Sequence, residues 1–278
     1  MKNIELKTGK DFNLKQTLEC GQCFRWEKIE ESEYLIFAED KACLAKDEKD
    51  YLKIQSFNGD EEFWNNYFDL STDYSKYKEE LLRGEPRLSD AILYGGGIRI
   101  LNQDFFEVLI SFIISQNNNI PRIKKCIESI SSVYGKPIGI IKGRERFAFP
   151  SPDALALADS EELMKLKLGY RSAYIVKAAQ KFQIEKVPSG SSEEKYKQIL
   201  SYYGIGPKVA NCISLFGLRD FEAFPIDTWV KRIMVHMYGF DEKDISGMQK
   251  FAAEKFGSLG GLAQQYLFYY YRDRNIKK

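Results

Sequence analysis

Residues 203–227 read YGIGPKVANCISLFGLRDFEAFPID, and this stretch decides the fold. Val209, Cys212, Ile213 and Phe216 recur at i, i+3, i+4 and i+7, the spacing of one helix face. Upstream, Tyr196, Ile199, Leu200 and Tyr203 repeat it. Two helices therefore flank a turn built on Gly204 and Gly206. Pro207 suits the first turn of the second helix, where its missing N–H leaves nothing unpaired. The glycines expose backbone N–H groups at a helix N-terminus, a concave row of donors that binds a phosphate oxygen without help from a side chain. Lys208 sits just inside that helix, and Asp227 follows 19 positions later.

Composition narrows the setting. The chain has 278 residues, enough for two packed units, and is 44% hydrophobic and 29% charged, an ordinary globular balance. Its apolar runs fall far short of the ~20 residues of a membrane span, and the charged start MKNIELKTGKDF does not read as a secretory signal. Five scattered cysteines predict reduced thiols and a cytoplasmic setting, beside the nucleoid in a prokaryote. Cys20 and Cys23 form a lone CxxC, whereas structural zinc needs four ligands, so no metal site is assigned. The net charge of +1 excludes a uniformly basic nucleic-acid binder, but the distribution is uneven. Residues 47–90 carry a balance of −6, while residues 121–146 and 165–186 carry +5 each. Phosphate neutralisation is available in the later part, although many of these lysines read equally well as solvated helix faces.

Residues 1 to about 60 read as strands: EYLIFAED and YLKIQSF are short β-rich runs between polar clusters, and Phe24 and Trp26 alternate. Helical patterns follow from residue 61, Gly95-Gly96-Gly97 reads as a hinge, and the chain from Asp104 onward reads as helical. The expected architecture is α+β: an antiparallel sheet domain over residues 1–97, packed on an all-helical unit over residues 98–278 whose paired helices lie at about 193–218.

GIGPKVANC followed by PID resembles the helix-hairpin-helix plus Gly/Pro-Asp motif of base-excision DNA glycosylases, most closely the 8-oxoguanine DNA glycosylase family. The likeness runs from about residue 14 to 272. It implies Lys208 as nucleophile and Asp227 as the second catalytic group, acting on duplex DNA that contains 8-oxoguanine. A lysine that attacks a sugar carbon must be neutral, and partial burial is expected to pull its pKa down from ~10.4. Asp227 also suits the N-cap of the helix after it, and its charge could steady an oxocarbenium-like sugar.

The same likeness implies a base pocket. Phe268 would stack on an extruded base, Gln264 would bond its Watson–Crick edge, and Cys212, one turn from Lys208, would line one face. Read alone, Gln264 and Phe268 are ordinary helix residues and Cys212 a small core residue. GQCFRW at 21–26 resembles the family strand in which the Gly21 carbonyl accepts from N7–H, a hydrogen that guanine lacks. Around Gly204, Gly206 and Val209 the resemblance implies amides holding DNA phosphate, and possible ion-binding carbonyls at the two glycines; no organic cofactor is implied. SQNNNIPR at 115–122 resembles the loop that fills the gap left by the base. Asn117 would be the wedge, Tyr170 would insert between bases, and Arg122 and Arg171 would bond the orphaned cytosine. Three asparagines are also ordinary turn composition.

Two positions depart from the pattern. Trp229 stands where animal-type enzymes often have histidine, and Tyr271 where they have an acid. The expectation is a cytosine preference weaker than theirs. The working expectation is a monomeric DNA glycosylase that also nicks the abasic site. Two alternatives remain: a non-catalytic binder of DNA structure, and a glycosylase for another damaged purine.

Overall fold

The structure is a computed structural model and describes residues 1–274; the end of the basic tail lies outside the described residues. The first part comprises β1 (Lys2–Lys7), α1 (Leu14–Glu19), β2 (Trp26–Lys28), β3 (Glu33–Ala38), β4 (Lys41–Glu48) and β5 (Tyr51–Asn58). The strands form one antiparallel sheet in the order β1-β5-β4-β3-β2. Register follows the apolar alternation: Ile4 faces Ile54 and Leu6 faces Leu52, and these four side chains are buried on one face.

The helical part continues with α2 (Glu61–Tyr67), α3 (Tyr74–Gly84), α4 (Ser89–Gly95), α5 (Phe105–Ser115) and α6 (Ile120–Tyr134). A hairpin of β6 (Pro137–Ile141) and β7 (Arg144–Phe147) comes next, then α7 (Pro152–Ala156), α8 (Ser160–Lys165) and α9 (Arg171–Glu185). The chain ends with α10 (Ser192–Leu200), α11 (Pro207–Gly217), α12 (Thr228–Tyr238), α13 (Ile245–Phe256) and α14 (Gly260–Asp273). The α+β architecture is as expected: an antiparallel sheet followed by a helical core.

Three local expectations need correction. The strand reading of the first 60 residues missed α1. That helix is one and a half turns long, too short for its period to show, yet Asn13 caps it by accepting from the Gln16 N–H at 2.9 Å. The helical reading beyond Asp104 missed β6 and β7. Ile138 and Ile141 pack with Leu35, Phe37 and Leu44, so the hairpin covers the face of the main sheet that α1 and α2 leave open. Finally, Gly97 is pinned rather than a hinge. Its N–H donates to Gln16 Oε1 at 2.8 Å, its carbonyl accepts from the Asn13 N–H at 2.9 Å, and a Cβ there would collide with Asn13.

The main core is shared across the chain. Cys20 and Phe24 from the sheet side join Phe112, Phe216, Leu262 and Leu267 from the helices in one buried cluster. The segment carrying Gly21 is therefore held against α5, α11 and α14.

Candidate active site

The residues picked out near 204–227 and 264–268 converge. Gly206 precedes α11 in an extended conformation with Pro207 in the first turn, so Lys208 leaves the helix near its N-terminus. Asp227 caps α12, its Oδ1 accepting from the Val230 N–H at 2.8 Å. A narrow cavity of ≈ 60 Å³ is bounded by Gly21, Cys212, Gln264 and Phe268, with Lys208 and Asp227 at its edge and Phe112 and Phe216 beneath. Phe112 and Phe216 stack with ring centres 5.4 Å apart, giving the cavity an apolar base. A second hollow, an open groove of ≈ 750 Å³, runs over Gln116, Asn117, Gly204, Gly206 and Val209. Lys208 and Asp227 line both.

Gly21 follows α1 with φ of +86°, a backbone conformation that strains any L side chain. A Cβ there would lie 3.6 Å from the Phe268 ring, so Gly21 and Phe268 face each other as wall and lid. Gln22 fixes this turn. Buried, it donates to the Thr17 and Arg99 carbonyls at 2.8 and 2.7 Å and accepts from the Leu101 N–H at 2.9 Å. Gln264 is also buried and accepts from Gln265 Nε2 at 2.9 Å.

The charge state of Lys208 differs from the expectation of a pKa lowered by burial. The Cys212 sulfur, once its thiol has ionised, holds the ammonium above its ordinary value; burial pulls the other way, and the Asp227 carboxylate adds to the rise. The residue as a whole is exposed, but its charged end reaches into the niche beside Cys212 and Asp227. Burial in turn pushes the Cys212 thiol up, with Lys208 opposing. Asp227 is also raised by burial, against the Val230 N–H and the Lys208 charge.

On the loop side, Asn117 is exposed with φ of +47°, a left-handed conformation that asparagine tolerates better than most residues. Its Nδ2 donates to the Tyr170 hydroxyl at 3.3 Å. Asn119 caps α6 by accepting from the Arg122 N–H at 3.1 Å. The two arginines differ. Arg122 is exposed and makes one long contact, 3.3 Å, to the Lys167 carbonyl. Arg171 is buried, and it donates from Nε to the Gln116 carbonyl at 2.9 Å, from Nη2 to the Gln116 and Asn117 carbonyls, and from Nη1 to the Leu168 carbonyl at 3.3 Å. Its guanidinium fastens the loop that carries Asn117.

Of the departing residues, Trp229 is half-buried, with the Arg232 guanidinium 5.3 Å from its ring centre. Tyr271 packs edge-on against Tyr270 at 5.5 Å. Sequence reasoning did not pick out as pocket residues Cys20, Phe112, Phe216, Pro225 and Gln265, which also line the cavity, nor Arg272, which lies behind Phe268. Arg272 places its guanidinium 5.0 Å from the Phe268 ring centre, donates to the Glu19 carbonyl at 2.7 Å, and pulls Asp227 toward the ionised form. The i, i+4, i+8 row Gln264, Phe268, Arg272 was the available signal.

Family comparisons agree with this geometry. Residues 5–109 match the 8-oxoguanine DNA glycosylase N-terminal domain, and residues 110–257 match the HhH-GPD superfamily of base excision DNA repair proteins. The N-glycosylase/DNA lyase OGG1 of Arabidopsis thaliana is 30% identical over 94% of this chain and 78% of its own length.

The chain belongs to the 8-oxoguanine DNA glycosylase family.

It is an enzyme of the DNA glycosylase and lyase type. A structure of MBOgg1 in complex with a low affinity DNA ligand superposes with a TM-score of 0.92 at 42% identity, covering 99% of this glycosylase and 97% of that chain. The Clostridium acetobutylicum 8-oxoguanine glycosylase/lyase, in complex with double-stranded DNA containing cytosine opposite 8-oxoG, matches with a TM-score of 0.92 at 40% identity over 99% and 96%.

Proposed function

We propose that this glycosylase excises 8-oxoguanine from duplex DNA through a Lys208 Schiff base and then nicks the strand by β-elimination. The observation that carries this reading is that Lys208 and Asp227 line both the small cavity and the larger groove. Duplex backbone lying in the groove, with one nucleotide turned inward, brings its C1′ to these two residues.

The Lys208 amine attacks C1′ as the glycosidic bond breaks, and Asp227 stabilises the positive charge that develops on the sugar. The free enzyme favours the ammonium, so loss of a proton from Lys208 precedes attack. Phe268 and the Lys208–Cys212 side sandwich the base, and Gln264 bonds its edge. The Gly21 carbonyl accepts from N7–H. Undamaged guanine sets an acceptor against that carbonyl, and an unpaired buried acceptor costs about 1–3 kcal/mol.

Across the duplex, Asn117 and Tyr170 fill the gap, and Arg122 reads a cytosine by donating to its acceptors. No charged partner is supplied by Trp229 or Tyr271, so this preference is modest.

The decisive test is borohydride trapping on duplexes carrying 8-oxoguanine opposite each of the four bases. Wild type should become covalently linked to the DNA, and Lys208→Gln should bind the same duplex without linkage or excision. Full linkage by Lys208→Gln would overturn the assignment of the nucleophile.

A further inference from the structure

An aromatic row outside the pocket joins the wedge loop to the glycine turn. Tyr170 and Tyr174 meet edge to face at 5.5 Å and 69°, and Tyr174 and Tyr203 at 5.1 Å and 88°. The row ends under a cation, with Lys177 Nζ 3.7 Å from the Tyr203 ring centre. Tyr170 is bonded to Asn117, and Tyr203 immediately precedes Gly204. The Tyr174 ring fills the space that a Cβ on Gly204 would need, and Gly204 has φ of +79°. The turn is thus glycine for two reasons, its backbone conformation and the ring pressed against it.

The two end rings are open to solvent, Tyr170 at 48% and Tyr203 at 54% exposed. Large aromatics held in place by their neighbours yet left exposed mark a contact surface. The row also runs beside the groove bounded by Asn117 at one end and Gly204 at the other.

We propose that Tyr203 and Lys177, braced by Tyr174, contact the sugar-phosphate backbone of the duplex, so that the wedge and the glycine turn grip the DNA at a fixed spacing. The Tyr203 ring offers an apolar face to a deoxyribose, and Lys177 offers charge to the adjacent phosphate without reading sequence. This surface rests on the proposed action on DNA but not on the lesion or on Lys208 chemistry.

The test is fluorescence-anisotropy binding of damaged and undamaged duplexes over a range of salt, together with single-turnover excision. Tyr203→Ala should weaken both duplexes about ten-fold, within the range of aromatic contacts to nucleic acid. Its excision defect should lie mainly in the enzyme concentration needed for half-maximal rate. Tyr203→Phe should restore binding. Lys177→Gln should reduce the slope of log affinity against log salt by about 1. Wild-type affinity and slope in both Tyr203→Ala and Lys177→Gln would overturn the proposal. That outcome leaves the chemistry intact, because failure of the chemistry shows separately as a wild type that binds DNA and excises nothing.

Discussion

The lesion side and the orphan-base side are built on opposite principles. The cavity at Gly21, Cys212, Gln264 and Phe268 is narrow, floored by stacked rings and set in the main core. The loop around Asn117 is exposed, left-handed at its tip and held by side chains beneath it. On the proposed function, the first would recognise its base by shape and by the Gly21 carbonyl in a largely apolar site, where each mismatched polar group is expensive. On the same proposal, the other would meet its base in partial contact with water, where each contact is weaker. Changes on the lesion side should therefore be felt as large factors in rate, and changes on the orphan side as small factors in preference.

The largest effect is expected at Lys208, whose loss abolishes excision. Next is Asp227. Asp227→Asn should slow excision by ~10²-fold or more with little change in lesion affinity, because the carboxylate contributes in the transition state. Asparagine still caps a helix, so α12 should lose under ~1 kcal/mol. Single-turnover rates and thermal unfolding on the same variant separate the roles. Parallel loss of stability and rate would reduce Asp227 to a cap.

Gly21→Ala should have the next largest effect. The new methyl group meets Phe268 at an ordinary contact distance, but φ of +86° is strained for alanine by roughly 1–2 kcal/mol. Relief of that strain turns the carbonyl away from the base. Excision of 8-oxoguanine should fall about ten-fold, while nicking of a preformed abasic site is retained. Equal loss of both would show that Gly21 serves the turn and not the base.

The lesion side also sets the pH response. The reactive amine is neutral, and Lys208 is held above the ordinary lysine value chiefly by Cys212. Excision should keep rising on the alkaline side. Asp227 is raised by burial, so activity should fall on the acid side at a pH above that of an ordinary carboxylate. Because burial keeps the Cys212 thiol protonated until alkaline pH, Cys212→Ala should move only the upper part of the alkaline limb, where that thiol has ionised, to lower pH. A limb left in place would mean that the sulfur does not hold the proton.

The same contrast explains what was legible in sequence. The positions of Lys208 and Asp227 stand out because a glycine turn and a helix cap are local patterns, although their catalytic roles come from family likeness. Gln264 and Phe268 become legible only through family likeness, since nothing local marks a helix residue as facing a pocket. The pinning of Gly97 by Asn13 and Gln16, and the cover that β6 and β7 give to the sheet, depend on partners some 80 to 100 residues away. The rise of Lys208 depends on how nearly burial and neighbouring charge cancel, which composition does not reveal. The hold that Arg171 has on the Gln116, Asn117 and Leu168 carbonyls is hidden for a related reason, because its partners become known only once the chain is folded.

The smallest effect is expected on the orphan side, where the two arginines part company. Arg122 is exposed and loosely held, free to donate to a cytosine; Arg171 is buried, with its donors on the Gln116, Asn117 and Leu168 carbonyls. A good base contact is worth about 1–3 kcal/mol, and an exposed one belongs at the low end. Arg122→Ala should thus shrink the preference for cytosine over the other bases by about five-fold, leaving stability unchanged. Arg171→Ala strips donors from the part-buried Gln116 and Asn117 carbonyls and the buried Leu168 carbonyl, the last at about 1–3 kcal/mol, so it should lower the unfolding temperature and slow excision opposite all four bases alike. Single-turnover rates opposite C, A, G and T, with a melting curve for each variant, distinguish the two. If Arg171→Ala reorders the four bases while Arg122→Ala does not, the guanidinium beneath the loop leaves its carbonyls when DNA binds. The orphan side would then be a surface that rearranges on binding, unlike the lesion pocket it faces.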